Sequence, residues 1–140
     1  MANMIGDWKL VPELTTGHDE FAEALGMTDA EREATRNLVF TLHLSRDGEV
    51  WHMKVDLEDG SVFMDVNFTM GVPFHFLGFD KVTKMTSVIN LENDHFVEKL
   101  TSDKNGVIMQ LDVDTYRDGD FVVAAQTKDG KTETQWLRKL

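Results

Sequence analysis

The sequence predicts an all-β fold, a sandwich or a barrel of antiparallel strands joined by short turns. Three observations predict it: tight-turn signals recur from residue 47 onward, the runs between them alternate apolar and polar residues, and only one stretch has helical periodicity. Regularly spaced turns with short alternating runs between them are typical of antiparallel sandwiches and barrels. The runs predict ten strands, at 6–12, 38–45, 50–57, 62–68, 73–79, 83–91, 95–101, 107–113, 121–127 and 132–139.

The first strand is followed by the helical stretch. Phe21, Ala24 and Leu25 recur at helical spacing and predict a helix over 18–25, with Gly26 suited to the position after its end. Thr28 with Glu31 three residues later is the capping-box pattern, which predicts a second helix over 29–36. The predicted order is therefore one strand, two short helices and nine further strands.

The nine later strands are separated by turns rich in Asx-Gly pairs. Such pairs adopt the positive φ angles that two-residue hairpin turns require. Most neighbouring turn signals lie 11 to 13 residues apart, which is the regular spacing typical of an antiparallel sandwich or barrel. The pairs are Asp47-Gly48, Asp59-Gly60, Asn105-Gly106, Asp118-Gly119 and Asp129-Gly130.

Alternation within the strands assigns an inner and an outer face. Trp51, Met53 and Val55 fall on one face of their strand, and His52 and Lys54 fall on the other. A period of two places one face toward an interior and leaves the other in water. The same pattern places further residues inside, namely Met64, Val66, Phe68, Met109 and Leu111.

Length and composition exclude several classes of protein. A chain of 140 residues makes a single domain over 1–140, and the absence of cysteine excludes a disulfide scaffold and thiolate chemistry. A hydrophobic fraction of 41% is too high for disorder. The net charge of −11 argues against nucleic-acid binding and against stable association with anionic membranes. Residues 1–7 lack the features of a secretory signal, so we expect a cytoplasmic protein.

Several segments resemble the intracellular fatty-acid-binding protein family, which includes the cellular retinoid-binding proteins. Residues 6–11 (GDWKLV) resemble the family's opening G-x-W-K-L, and residues 18–26 (HDEFAEALG) resemble its first helix. Residues 67–74 (NFTMGVPF) and 86–92 (TSVINLE) resemble its F-x-L-G-x-x-F and K-S-V-V-T-L-D segments. The match covers nearly the whole chain, and its strength lies in the order and spacing of the motifs.

The resemblance implies a ten-strand antiparallel barrel, or clam, that holds one apolar ligand under a helical lid at about 17–36. In a barrel of eight strands, the side chains can just fill the interior, and a barrel of ten strands encloses more space. We therefore expect a cavity, although each lining residue could instead belong to an ordinary packed core. The expected ligand-binding residues are Phe21, Trp51, Met53, Val55, Met64, Val66, Phe68, Phe76, Met109, Leu111, Glu133, Gln135 and Leu137.

The last strand departs from the family's carboxylate anchor, which is an Arg-x-Tyr pair helped by an Arg two strands earlier. Gln135 and Leu137 take the Arg and Tyr positions, and the earlier Arg maps to Leu111 or Val113. A buried carboxylate without a cation pays an uncompensated desolvation cost of several kcal/mol. The retinol-binding branch has Gln at the position of Gln135. An alcohol, aldehyde, ester or other uncharged head group is therefore favoured, unless Gln135 is satisfied by water or backbone.

Two further features leave alternatives open. Glu133 shares the strand face of Gln135, so its carboxyl either points into the cavity or lies in water at the barrel mouth. The segment 72–79 is rich in aromatic residues where the family is usually acidic and polar. Those rings either close the portal over a ring-bearing ligand or pack as a strand into the barrel.

No pattern of catalytic or metal-binding residues emerges. The five histidines form no pair at metal-ligand spacing, and His43 and His52 belong to the outer face. The stretch 114–121 looks superficially like a calcium loop, but its position 12 is Ala125, so we interpret it as a hairpin turn. We find no nucleophile elbow, phosphate loop or dinucleotide motif, and we expect no cofactor and no enzyme activity.

The sequence thus favours a monomeric intracellular carrier that binds one hydrophobic small molecule, such as a fatty acid or retinoid. A chromophore-binding or luciferin-oxidising barrel is the alternative, because aromatic rings near the portal suit a pigment. An extracellular lipocalin-like carrier is disfavoured by the lack of cysteine and of a signal segment.

Overall fold

The computed structural model describes residues 3–140 and contains ten strands and two short α-helices. The segment 1–7, which lacks the features of a secretory signal, begins with Met1 and Ala2, and these two residues lie outside the described ones. The strands are β1 (Gly6–Leu10), β2 (Phe40–Asp47), β3 (Val50–Leu57), β4 (Val62–Phe68), β5 (Phe74–Leu77), β6 (Lys84–Glu92), β7 (His95–Lys104), β8 (Val107–Asp118), β9 (Phe121–Lys128) and β10 (Lys131–Lys139). A 3₁₀ turn (Pro12–Leu14), α1 (His18–Ala24) and α2 (Asp29–Arg36) lie between β1 and β2.

All ten strands form one antiparallel sheet in the order β4-β3-β2-β1-β10-β9-β8-β7-β6-β5. The first and last strands of the chain are therefore neighbours in the middle of the sheet, whereas β4 and β5 lie at its two edges. Phe68 on β4 and Phe74 on β5 stack with ring centroids 5.1 Å apart inside the barrel, and Phe63 and Phe79 stack outside it. The sheet therefore curves into a nearly closed barrel, as predicted.

The helical lid begins and ends as the sequence predicts. Thr28 Oγ1 accepts a hydrogen bond from the Glu31 backbone N–H, and the Glu31 carboxylate accepts one from the Thr28 N–H, both at 3.1 Å. This capping box satisfies two backbone donors at the start of α2. Gly26 has φ +73°, the left-handed conformation that ends α1.

Several predicted strand boundaries are wrong, each for a local reason. β1 stops at Leu10 because the 3₁₀ turn begins at Pro12. β5 stops at Leu77 because the Asp80 carboxylate accepts hydrogen bonds from the Val82 and Thr83 N–H groups and holds the next residues in a turn. β7 and β8 run longer than predicted, and β8 reaches Asp118 because its pairing with β9 continues to the Asp118–Gly119 turn.

Two groups of side chains pack inside the barrel. The first, which we call the floor cluster, contains three neighbouring aromatic rings. The Trp51 ring lies 6.4 Å from that of Phe68 and 5.1 Å from that of Phe96, measured between ring centroids. Its remaining buried members are Met4, Trp8, Leu10, Leu44, Phe74, Ile89, Val122 and Leu137. The second, the lid cluster, joins Phe21 of α1 to Leu100, Leu111 and Val113. The lid is thus held by an apolar side chain that reaches into the barrel.

Candidate ligand cavity

A cavity of about 340 Å³ lies between the lid and strands β1 and β10. Leu10, Pro12 and Leu38 form its apolar wall, and Glu133 and Gln135 face the same space from β10. The rest of the lining, on the lid side, is polar: Thr15, His18, Asp19, Glu20, Thr35 and Arg36. This volume is within the range of small-molecule sites, which are typically apolar with a few placed polar groups. The arrangement can therefore hold one small molecule beneath the helices.

Gln135 faces the interior because β10 keeps a strict alternation. Its register partner on β9 is Ala124, and its neighbours two residues away on the same face, Glu133 and Leu137, are both buried. No hydrogen-bond partner within residues 3–140 reaches the Gln135 side chain. The amide thus presents both a donor and an acceptor to the cavity.

Glu133 is only 5% exposed, so its placement in water at the barrel mouth is wrong. One carboxyl oxygen is in very close hydrogen-bonding contact with His18 Nδ1, and the other accepts a bond of 3.3 Å from Gln126 Nε2. The lid excludes water here because α1 begins directly above β10. A carboxyl that lines the cavity with spare acceptor capacity can receive a hydrogen bond from a ligand.

His18 connects both helices of the lid to the barrel. Besides contacting Glu133 through Nδ1, its Nε2 lies 3.2 Å from the Arg32 carbonyl oxygen and 3.3 Å from Thr35 Oγ1 on α2. The first residue of α1 therefore links α2 to β10. This role was missed in the sequence, although His18 stands one helical turn before Phe21, on the same face of α1.

The other predicted lining residues divide among three locations. Trp51, Phe68 and Leu137 are buried in the floor cluster, with Met53 and Val66 packed against it. Leu111 and Phe21 meet in the lid cluster, and Phe76 packs against both clusters. Val55 is buried, Met64 and Met109 are half-buried, and these three belong to neither cluster.

The aromatic segment 72–79 divides between the two faces of β5. Phe74 is buried and stacks with Phe76 at 6.0 Å between centroids, so these two rings pack into the barrel. Leu77 and Phe79 are each 48% exposed, and Phe79 stacks on Phe63 of β4. The interpretation that the segment packs into the barrel is therefore confirmed for Phe74 and Phe76, and closure of a portal over a ligand stays a prediction.

Glu98 on β7 is an interior carboxyl that the sequence reasoning missed. Ser87, which is fully buried on β6, donates a very short hydrogen bond to it. Burial raises the pKa of the Glu98 carboxyl, and the Ser87 hydrogen bond opposes this only in part. The sequence does indicate its position, because Glu98 lies on the same face of the predicted strand 95–101 as Phe96 and Leu100.

The outer face carries histidines paired with carboxylates. His43 contacts Asp7 at 2.7 Å and Asp56 at 2.8 Å, and the hydrogen bond to Asp7 is the largest cause that raises the pKa of His43. Within residues 3–140, no group of three or more histidine and acidic side chains is arranged to hold a metal ion. No helix in that range is long and apolar enough to cross a membrane.

Comparison with known proteins identifies the fold. No protein-family model matches the sequence, and no curated protein sequence matches it either. Among solved structures, fatty-acid-binding protein 1 of Echinococcus granulosus is 20% identical, with TM-score 0.78 over 98% of this chain and 97% of that one. Human cRBP IV is 17% identical, with TM-score 0.78 over 100% of both chains. The fluorescent protein UnaG is 18% identical, with TM-score 0.79 over 98% and 97%.

These likenesses cover the chain from end to end and agree with the strand order, the two-helix insertion after β1 and the curved single sheet. The chain has the ten-strand fold of the intracellular fatty-acid-binding proteins, as the sequence motifs predicted.

Proposed function

We propose that this protein is a carrier that holds one hydrophobic small molecule inside the barrel, with an uncharged head group under the lid. The observation that carries the proposal is the cavity of about 340 Å³, in which the Gln135 amide, without a hydrogen-bond partner in residues 3–140, stands beside the Glu133 carboxyl under the lid. Proteins of the same fold whose names describe fatty-acid and retinoid binding support it.

The polar groups of the cavity favour a hydroxyl head group. A hydroxyl can accept a hydrogen bond from the Gln135 amide and donate one to Glu133, which satisfies both. A ligand carboxylate would meet the Glu133 carboxyl, and the Arg36 guanidinium at the cavity is already paired with Asp19 and Glu33. Because two carboxyl groups that share a site cannot both ionise without strong repulsion, fatty acids should bind less well than the matching alcohols.

Burial of the ligand supplies the affinity. About 400 Å² of apolar ligand surface at roughly 25 cal/mol per Å² gives about 10 kcal/mol before the costs of association. Micromolar affinity is therefore accessible without an ion pair. The mechanism is reversible burial in a cytoplasmic monomer with no cofactor, and it requires no chemical step.

The test is a fluorescence titration of retinol against retinoic acid on delipidated protein. Retinol should bind more tightly than retinoic acid. Glu133→Gln removes a carboxyl from the head-group site, so it should reduce the ratio of retinol affinity to retinoic acid affinity by about tenfold. Gln135→Ala should weaken retinol binding by about 1 kcal/mol. Gln110→Ala, at an exposed position on β8, is the matched control and should change nothing. Tighter binding of the acid by the unmodified protein would refute the uncharged head group.

A pigment is the second candidate ligand, because the fluorescent protein UnaG has the same fold. An absorption spectrum of the purified protein, with mass spectrometry of its denatured extract, separates the two candidates. A visible band with a pigment mass would favour a chromophore-binding barrel. A lipid mass without a band would favour the carrier.

A further inference from the structure

The carboxyl of Glu98 faces the barrel interior rather than solvent. Its register partners, Ile89 on β6 and Val113 on β8, are 2% and 9% exposed, and both point inward. Phe96 and Leu100, two residues away on the same face of β7, are buried as well. Glu98 is therefore a polar residue on an inner face that is otherwise apolar at these positions.

Ser87 is the one hydrogen-bond partner of this carboxyl within residues 3–140, and it contacts only Oε2. Glu98 is half-buried, and its second oxygen, Oε1, keeps its capacity to accept a hydrogen bond. A donor on a bound molecule could use that capacity.

Glu98 lies in the same cross-strand row as the head-group site. Glu133 pairs with Gln126, Gln126 pairs with Val113, and Val113 pairs with Glu98. Neighbouring strands lie 4.7–4.9 Å apart, so three steps separate the two carboxyl-bearing positions by about 14 Å along the sheet. One elongated molecule can span that distance.

The side chains between the two polar points are apolar. The lid cluster of Phe21, Leu100, Leu111 and Val113 lies between them, and Phe76 and Met85 pack against it. A ligand that spans both points would therefore contact polar groups at its two ends and apolar side chains along its length.

We propose that Glu98 and Ser87 form a second binding point, and that the ligand is a hydrophobic molecule with a hydrogen-bond donor at both ends. One end binds at Gln135 and Glu133, and the other donates a hydroxyl or amine hydrogen to the free oxygen of Glu98. This inference rests on the proposed carrier function and narrows its ligand class to diols, amino alcohols and similar two-ended molecules.

The test compares α,ω-dodecanediol with dodecanol as competitors of Nile red, a neutral dye. Glu98→Leu should weaken the diol by about tenfold and change dodecanol by less than about twofold, because only the diol reaches the second point. Glu98→Gln keeps an acceptor oxygen and should retain most of the preference for the diol. Thermal unfolding of each variant without ligand shows whether it is folded.

A second measurement needs no variant. In the unmodified protein, the ratio of diol to alcohol affinity should pass through a maximum as the chain is lengthened from decane to tetradecane, because the two polar points are fixed. A ratio that does not depend on length, or that is the same in Glu98→Leu, would overturn the second binding point. Failure of every alcohol to displace Nile red would overturn the carrier function itself.

Discussion

Gly17 is the residue at which the lid comes closest to the barrel. It has φ +75°, and a Cβ added there would lie 2.0 Å from the Thr132 carbonyl oxygen on β10. The neighbouring Thr16 N–H and carbonyl bond the Thr134 backbone at 3.0 and 2.9 Å. Backbone contact this tight cannot relax by a side-chain movement, so the position requires glycine for space as well as for conformation.

We therefore expect Gly17→Ala to be far more damaging than an ordinary glycine replacement. The matched control is Gly130→Ala, which has nearly the same φ of +76° but nothing within 4 Å of the added Cβ. The free energy of unfolding of the control should fall by about 1–2 kcal/mol, because alanine disfavours the left-handed conformation. That of Gly17→Ala, also measured by urea unfolding, should fall by at least about 2 kcal/mol more. Equal losses would show that the lid can move away from β10 at little cost.

At the level of elements, α1, α2 and β10 are joined by one imidazole. The His18 and Glu133 side chains are only 15% and 7% exposed, so water screens their contact weakly. By contrast, Lys104 lies 3.8 Å from Glu31 and 3.7 Å from Asp80 with about half of its surface exposed. Such surface ion pairs contribute little. The lid should thus be held by Phe21 and His18 rather than by its surface charges.

A double-mutant cycle with His18→Asn and Glu133→Gln tests this contact. We expect a coupling energy of about 1.5–3 kcal/mol, the usual contribution of a hydrogen bond to a charged group. Amide hydrogen exchange over 18–36 should accelerate in His18→Asn while the exchange of β7 and β8 stays slow. Lys104→Met is the control and should leave amide exchange unchanged both in the lid and in β7 and β8. A coupling near zero would mean that the lid is held by Phe21 alone.

The elements show which parts of the site a sequence can predict. The phase of β10 and the inward position of Gln135 and Glu133 follow from alternation, which is local. Whether water reaches Glu133 depends on His18, 115 residues away, and on the path of two helices, which no local pattern encodes. Glu98 could have been found from its alternation with Phe96 and Leu100, but a charged residue in that run was more easily assigned to the outer face.

For the whole molecule, charge governs how ligand could leave the barrel. The net charge is −11, and the lid region 16–37 carries six carboxyl side chains against Arg32 and Arg36. Arg36 is already paired with Asp19 and Glu33. Each basic residue near an anionic membrane is worth about 1 kcal/mol of attraction, and this lid has more acids than bases. The face that covers the cavity should therefore be repelled by such membranes.

Retinol transfer to vesicles should accordingly proceed through water. Its rate, followed by energy transfer to an acceptor in the vesicles, should not change with the concentration of phosphatidylglycerol vesicles. Neutral phosphatidylcholine vesicles serve as the control and should give the same rate. A rate that rises linearly with the anionic vesicles would mean that the lid, or another face, collides productively with them.

The strand order has a consequence for how this chain could be rearranged. β1 and β10 are paired, and the Leu140 N–H donates to the Asp7 carbonyl at 3.0 Å, whereas the β4–β5 connection joins the two edges of the sheet. A circular permutant that links residue 140 to residue 3 and begins after Gly71 would run β5 to β10 and then β1 to β4. Every hydrogen-bonded strand pair would then be adjacent along the chain. Its lower contact order should make this permutant fold faster. The backbone would no longer cross the seam between β4 and β5. That seam would then be held by the stacked phenylalanines, the floor cluster and the hydrogen bond from the Gly71 N–H to the Ile89 carbonyl.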